Sequence, residues 1–330
     1  MTTIQDIADK MGVSKSTVSK ALNDAPDISE ALRKQVLETA VALGYTKLRR
    51  YKKPTKKVCI IIEKENIRYQ EPHHFAYDIL VGFRQMAEPA GFDVEIVPVD
   101  IKAQRNRHYD VFMLEHDYIG AFVVGFSLSD PWIQDFKVSR TPAVLFDNYM
   151  VGNPSTAYVG IDNDEGMELA ISYLGHRKIA YLSSSLGARV LQARHAAFLR
   201  SMHQHGLKTS PAAIGCSYYL SECMEKHLPR FLENGITAII CNQDTLASAT
   251  LTQCQQLGFQ VPDDISIIGF DDLPIAACTS PPLTTIRQDR LELGKSGFFA
   301  LSSLLNHIPI STYLLHAQLI QRESTGKVPS

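Results

Sequence analysis

The sequence predicts a small all-α helix-turn-helix head followed by an α/β body of two doubly wound parallel-sheet subdomains. Three observations predict it. The first 45 residues carry three short amphipathic helical patterns, with a glycine turn between the first two. From Lys57 onward, short continuous apolar runs alternate with helical patterns, as in parallel sheets covered on both faces. Charge also changes sign between these regions. Residues 1–57 hold 12 Lys/Arg and 6 Asp/Glu, whereas residues 58–330 hold 21 and 29. The net charge of −2 is therefore the average of a +6 segment and a −8 segment, and a basic end on an acidic body points to nucleic acid at that end.

Within the head, Thr3 is placed to cap a first helix carrying Ile4, Ile7, Ala8 and Met11 on one face, and Gly12 ends it. Ser14 caps a second helix, KSTVSKALN, with Val18, Ala21 and Leu22 inward. Asn23 to Pro26 form a loop. Ser29 caps a third helix running to Leu43, striped by Ile28, Leu32, Val36, Leu37, Ala40 and Leu43, with Gly44 as its stop. The outer face of the second helix is polar. Lys15 and Ser16, in its first turn, would point at base edges in a major groove, and Lys20 would reach a guanine edge or a phosphate. Ser14, Thr17 and Ser19 suit phosphate contacts, helped by the helix N-terminus. The competing reading is a solvated face on a small helical bundle.

Seven of the head segment's twelve basic residues fall between Lys47 and Lys57, in KLRRYKKPTKK. That run has no apolar periodicity and contains Pro54. It reads as a solvated basic linker over residues 46–57.

In the body, strands are expected at VCIII (58–62), VEIVPV (94–99), AFVVGF (121–126), PAVLFD (142–147), KIAYLSS (178–184), AIIC (238–241) and ISIIGF (265–270). Helices are expected near 75–90, within 161–174, at 192–206 and at 244–257, with a break at 207–213. About eight strands over this length suggest two sheet units rather than one. No G-x-G-x-x-G or phosphate loop follows any strand, no metal-ligand spacing appears among the histidines and cysteines, and no cofactor is expected. The six cysteines form no CxxC pair and read as buried reduced thiols. MTTIQDIADKMG is charged at positions 6, 9 and 10 and lacks the apolar stretch of a signal peptide. No run approaches ~18 apolar residues, so a cytoplasmic location is expected.

TIQDIADKMGVSKSTVSKALND resembles the N-terminal signature of the lac repressor (LacI/GalR) family of bacterial transcription regulators. The resemblance implies that Lys15, Ser16 and Lys20 read bases. It extends into the body through VGIDNDEGMELAISYLGHRKIAYL, ISIIGFDDLPIAACTSPPLTTIRQD and LIQRES. It implies a periplasmic-binding-protein-like body, with crossovers near 160, 290 and 321. The expected organisation is a head at 1–45, a linker at 46–57, an N-terminal effector subdomain from 58–160 and 290–320, and a C-terminal one from 161–289 and 321–330. The linker departs from the family, which usually has a proline and then an Asn-x-x-Ala-Arg-x-Leu hinge helix that wedges a leucine into the minor groove. Leu48 is the linker's only leucine, and it lies early. Phosphate contacts from Arg49, Arg50, Lys52 and Lys53 are expected to replace part of that wedge.

The resemblance implies an effector site between the subdomains at the carboxyl ends of strands, a position that open α/β sheets also favour. It implies that Arg194, opening RHAAF, and Asp271, ending ISIIGF, bind effector hydroxyls, with Asp147 and Gln243 nearby. His74, Phe75 and Tyr218 or Tyr219 are candidate contacts to a sugar ring. Gln288 is either a ligand group or an interdomain hydrogen-bonding residue. Asp244 reads equally as a helix cap or a ligand contact, Asp272 as a brace for the loop before Leu273-Pro274, and Trp132 as packing. Together these point to a ligand-responsive repressor of carbohydrate-utilisation genes. It would bind a pseudo-palindromic operator as a homodimer, with no catalytic role. The alternative is a sugar-binding protein without a DNA role. An enzyme using Asp147, Asp244 and Asp271 as acid and base lacks any supporting motif.

Overall fold

The computed structural model describes residues 2–45, 56–63, 71, 74–175, 178–184 and 187–327. Three helices form the head: α1 (Ile4–Met11), α2 (Lys15–Leu22) and α3 (Glu30–Ala42). Their ends follow from local chemistry. The Thr3 hydroxyl accepts the Asp6 N–H at 3.3 Å while the Asp6 carboxylate takes the Thr3 N–H at 2.7 Å, a reciprocal cap. Gly12 closes α1 at φ +67°, a conformation that favours glycine. Ser14 and Ser29 accept the N–H groups of Thr17 and Leu32, starting α2 and α3. Ile7, Ala8, Val18, Val36 and Ala40 are buried where the three helices meet.

The remaining elements, in chain order, are β1 (Lys56–Glu63), α4 (Phe75–Ala87), β2 (Phe92–Val99), α5 (Ile101–Asn106), α6 (Tyr109–Glu115), β3 (Ala121–Val124), α7 (Trp132–Asp135), β4 (Ala143–Phe146), β5 (Thr156–Ile161), α8 (Asn163–Leu174), β6 (Ile179–Ser183), α9 (Arg189–Gln204), β7 (Ile214–Cys216), α10 (Leu220–Glu222), α11 (Leu228–Glu233), β8 (Ala238–Cys241), α12 (Asp244–Gln256), β9 (Ser266–Asp271), α13 (Pro274–Cys278), β10 (Thr284–Arg287), α14 (Arg290–Leu305), β11 (Thr312–Leu315) and β12 (Gln318–Ile320).

Two compact units result. The first comprises residues 1–67, 80–159 and 294–313, and the second 68–79, 160–293 and 314–330. The segment 68–79, which the sequence pattern placed with the first lobe, therefore clusters with the second. The head clusters with the first. Each unit is built around a six-stranded sheet, in the orders β11-β5-β4-β3-β1-β2 and β12-β10-β9-β8-β6-β7. The five core strands of each sheet run 2-1-3-4-5 in their own order, the flavodoxin-like arrangement. Their switch points lie between β1 and β3 and between β6 and β8. β12 pairs antiparallel with β10 and finishes the second sheet. In that sheet, alternate strand residues supply two apolar layers. Ala180, Leu182, Ile239 and Ile267 face one, and Ile179, Tyr181, Ile240, Ile268 and Phe270 face the other.

Among the described residues, twelve strands stand where the sequence pattern suggested about eight. Apart from β5, TAYVGI, those it missed lack a continuous apolar run. β10 reads TTIR yet buries Thr284 and Thr285, β7 and β12 have three residues each, and β11 is largely exposed. Residues 46–55 lie outside the described residues, and with them Leu48, Arg49, Arg50, Lys52 and Lys53. Lys56 and Lys57, expected in the linker, open β1. Their aliphatic stems suit that place: the Lys57 ammonium meets Glu95 at 2.7 Å and lies over the Tyr118 ring, and Lys56 lies over Phe92. The cysteine expectation also needs correction. Cys59, Cys223, Cys241 and Cys254 are buried free thiols, but Cys216 and Cys278 are exposed because they sit at the ends of a short edge strand and a short helix.

Candidate functional site

The head presents one polar helix face. Val18, Ala21 and Leu22 turn inward, so Ser14, Lys15, Ser16 and Lys20 turn out and are exposed. Thr17 and Ser19 are half-buried. The Ser14 hydroxyl lies 2.7 Å from that of Ser16 and 2.8 Å from that of Thr17, a run of hydroxyls at the positive end of the helix. Lys15 stands beside them in the first turn. Lys20 differs from the sequence expectation in having a partner: its ammonium donates to Asp27 at 2.5 Å and thereby holds the Asp27 carboxyl below the usual range.

The second unit holds a buried polar cluster at the carboxyl ends of its strands. Arg194, on α9, is 3% exposed. Its Nε donates to Asn163 Oδ1 at 3.1 Å and its Nη1 to the Asn242 carbonyl at 2.5 Å. Its guanidinium carbon lies 3.5 Å from the Phe270 ring centroid, and Nη1 is 3.7 Å from Asp271 Oδ1. Asp271 ends β9 at φ +110°, a strained backbone that turns its carboxylate back into the cluster. Gln288, just past β10, donates its amide N–H to Asp271 at 2.5 Å. Its own carbonyl oxygen is buried without a hydrogen-bond partner among the described residues. Asn242 follows β8 at the switch point of this sheet. Its side chain accepts the Ser184 N–H at 3.2 Å and donates to the Ser184 hydroxyl at 3.3 Å, linking β8 to the end of β6.

Two further aspartates frame the cluster. Asp244 starts α12 fully buried, accepting from the Thr285 hydroxyl at 2.6 Å and the Leu273 N–H at 2.7 Å. Burial and the neighbouring Asp271 charge push its carboxyl up to about 7, against those two hydrogen bonds. Burial likewise raises Asp271 to about 6, opposed by Arg194, the Gln288 hydrogen bond and Arg290. Asp272 is held otherwise. Burial alone would raise it, but hydrogen bonds from Arg322 (2.6 Å) and Arg287 (2.7 Å) bring its carboxyl below the usual range. It braces β10 and the chain after β12. Arg290 caps the backbone of Asp271 and Asp272 and pairs with Asp78 at 3.0 Å, inside the same unit.

Of the sequence-derived candidates, the structure brings together Arg194, Asp271 and Gln288. The others take different places. Asp147 follows β4 in the first unit at φ +61°. His74 accepts the Ala76 N–H at 3.1 Å through Nδ1 and sits at the start of α4, where Phe75 is the first helical residue. Gln243 precedes α12, half-buried, with no capping hydrogen bond from its side chain. Tyr218 is 78% exposed, edge-on to Tyr219 at 5.2 Å. Trp132 is buried packing, its indole N–H donated to the Arg107 carbonyl at 2.7 Å. Sequence reasoning missed Asn163 and Asn242. Asn242 stands just past β8 and Asn163 opens α8 after β5, and that position was the available signal.

The chain matches the family model of bacterial regulatory proteins of the lacI family over residues 3–47. It matches that of a periplasmic binding protein-like domain over residues 171–325. The HTH-type transcriptional repressor PurR of Aliivibrio salmonicida (strain LFI1238) is 28% identical, covering 99% of this chain and 100% of its own. The HTH-type transcriptional repressor CytR of Escherichia coli (strain K12) is 27% identical over 99% and 97%. Among solved structures, a complex of the transcriptional regulator CelR with cellobiose superposes with a TM-score of 0.70 at 21% identity, covering 98% of this chain and 100% of the other. The lac repressor bound to ONPG in the repressed state gives 0.69 at 23%, covering 98% and 99%. Those two show the same fold.

Proposed function

We propose, for a chain that belongs to the lacI family of bacterial regulatory proteins, that it is a transcriptional repressor switched by a small polyhydroxylated molecule, a sugar or sugar-like compound. It is a sequence-specific DNA-binding regulator rather than an enzyme, which sets aside a binding protein without a DNA role. It acts as a dimer on double-stranded operator DNA, with α2 of each copy entering a major groove. Lys15 and Ser16 read base edges. Ser14, Thr17 and Ser19 hold phosphates, joined by Arg49 and Arg50 from the linker, and Lys20 does so when DNA phosphates draw it from Asp27. Among the described residues, no helix is long and apolar enough to cross a membrane. The working location is the cytoplasm, where the DNA is.

The observation that carries the effector reading is the Arg194–Asp271–Gln288 cluster. Asp271 and Gln288 are buried at strand ends beside Arg194 of α9, and among the described residues the Gln288 carbonyl oxygen has no partner. A fork of guanidinium N–H groups beside a carboxylate suits vicinal hydroxyls, which both donate and accept. A buried carbonyl without a partner is costly unless a ligand donates to it. The cellobiose seen with CelR supports a carbohydrate. Asp147, Gln243, His74, Phe75 and Tyr218 are the further proposed contacts. A ligand that prefers one of two conformations shifts DNA affinity by that preference, as an inducer or as a co-repressor. A thermal-shift screen of sugars, sugar phosphates and nucleosides tests the reading. A ligand at 100 times its Kd adds about 2.7 kcal/mol of stability. A shift with nucleosides alone, or with none of the panel, contradicts a carbohydrate effector.

A further inference from the structure

We infer that the body helix α6 is the seat of the DNA-reading head, which docks on it through α3, so that an intrachain interface sets where the recognition helix stands. The observation is that α6 is apolar on two sides. Tyr109 and Met113, one turn apart, face the body core with Trp132 and Phe136. Val111 and Leu114 face the other way. Val111 is 6% exposed and belongs to the same apolar cluster as the head's own core residues, among them Ile7, Val18, Val36 and Leu37. Leu114 packs against the same cluster, with Leu32 and Leu43 of the head. The head's small core is thus completed by two side chains of the body. A module of about 45 residues gains from that, since so small a core is marginal alone.

Charges of both signs rim the contact. A cavity of about 520 Å³ beside it is lined by Glu30, Arg33 and Lys34 of the head and by Arg107, His108 and Glu115 of the body. An apolar centre with a wet, charged rim is the form of a reversible interdomain contact. The docked head still has Lys15 and Ser16 exposed, so the seat leaves the reading face open. The linker KLRRYKKPTKK, by contrast, has no periodicity for a helix of its own and supplies charge rather than geometry.

Hydrogen exchange on the full chain, free of DNA, tests the docking apart from any operator. The variant is Val111→Asp, which puts a charge on the face of α6 that the head covers. Val138→Asp, 71% exposed in the same unit, is the control. The expected result is exchange about tenfold faster across α3 in Val111→Asp. β1 and β3 should be unchanged, and Val138→Asp should behave as wild type. Unchanged exchange across α3 would overturn the inference and leave the linker as the sole tether. If Val111→Asp also opens β1 and β3, Leu114→Ser replaces it and is judged on the same amides. Exchange across α3 about threefold faster then supports the seat, and wild-type exchange refutes it.

Discussion

Arg194 and Asp271 face each other at 3.7 Å, and both are buried. Each makes the other tolerable. The guanidinium donates to Asn163 and to the Asn242 carbonyl and lies over the Phe270 ring, and its charge opposes the rise that burial imposes on Asp271. Removing one member leaves the other uncompensated, which costs about 3–5 kcal/mol in buried pairs. Arg194→Ala is expected to lose roughly that much in denaturant unfolding and to lose the effector-induced thermal shift. Operator binding below the melting temperature should persist. Arg194→Lys should lose the shift as well, because an ammonium cannot fork to both asparagines. Survival of the shift in either variant would move the effector site elsewhere.

Asp244 and Asp271 give a pH signature. Their carboxyls sit at about 7 and about 6 in the folded chain, above the ~3.9 of an unfolded aspartate. Raised folded values mean that the native state holds protons the unfolded state has released. The contribution is fully present below pH ~4 and is lost as pH rises through 6 and 7. Asp244→Asn keeps an acceptor for the Leu273 N–H and removes the charge. It is expected to gain about 2 kcal/mol over wild type at pH 8, with the gain shrinking toward pH 4. Denaturant midpoints across that range check it, and a gain that does not vary with pH would contradict the burial argument.

Particular residues show what was legible in the sequence. The three head helices follow from Thr3, Ser14, Ser29 and Gly12, because caps and left-handed stops are local chemistry. β8, AIIC, follows from an apolar run bounded by turns. β10 does not, since its threonines are buried by partners distant in sequence: Thr285 donates to Asp244, and the Thr284 hydroxyl accepts the Arg322 N–H. The same limit applies to the cluster. Asp271 and Gln288 were readable as polar groups at strand ends, and Arg194 through the family resemblance of RHAAF. That Asn163 and Asn242 complete the cradle, and that Asp27 holds Lys20, depends on contacts no local pattern encodes. Two-sided α6 is the other case, because which apolar residues of YDVFMLE meet the body core and which meet the head is set by contacts distant in sequence.

The ion pair between Lys20 and Asp27 sets a prediction on the DNA side. Asp27→Ala removes a carboxylate near the reading face and frees the ammonium for phosphate. Operator affinity is expected to rise about threefold at low salt, with the slope of log K against log salt steeper by up to about one unit. Lys15→Ala, by contrast, should cost about 1–3 kcal/mol on the operator and little on unrelated DNA. Anisotropy titrations at several salt concentrations separate the two effects.

The linker's basic residues predict a change of slope alone. Replacing Arg49 and Arg50 with glutamine should flatten the salt dependence by about one unit per lost phosphate contact, on operator and unrelated DNA alike. An unchanged slope would remove them from the interface.

The most direct measurement of the central claim is competition binding of the purified chain to DNA from upstream of its own gene, against a scrambled duplex of equal length, at near-physiological salt. Specific recognition predicts at least about a thousandfold preference for the upstream fragment, reduced by Lys15→Ala. Equal affinity for the two duplexes would contradict it.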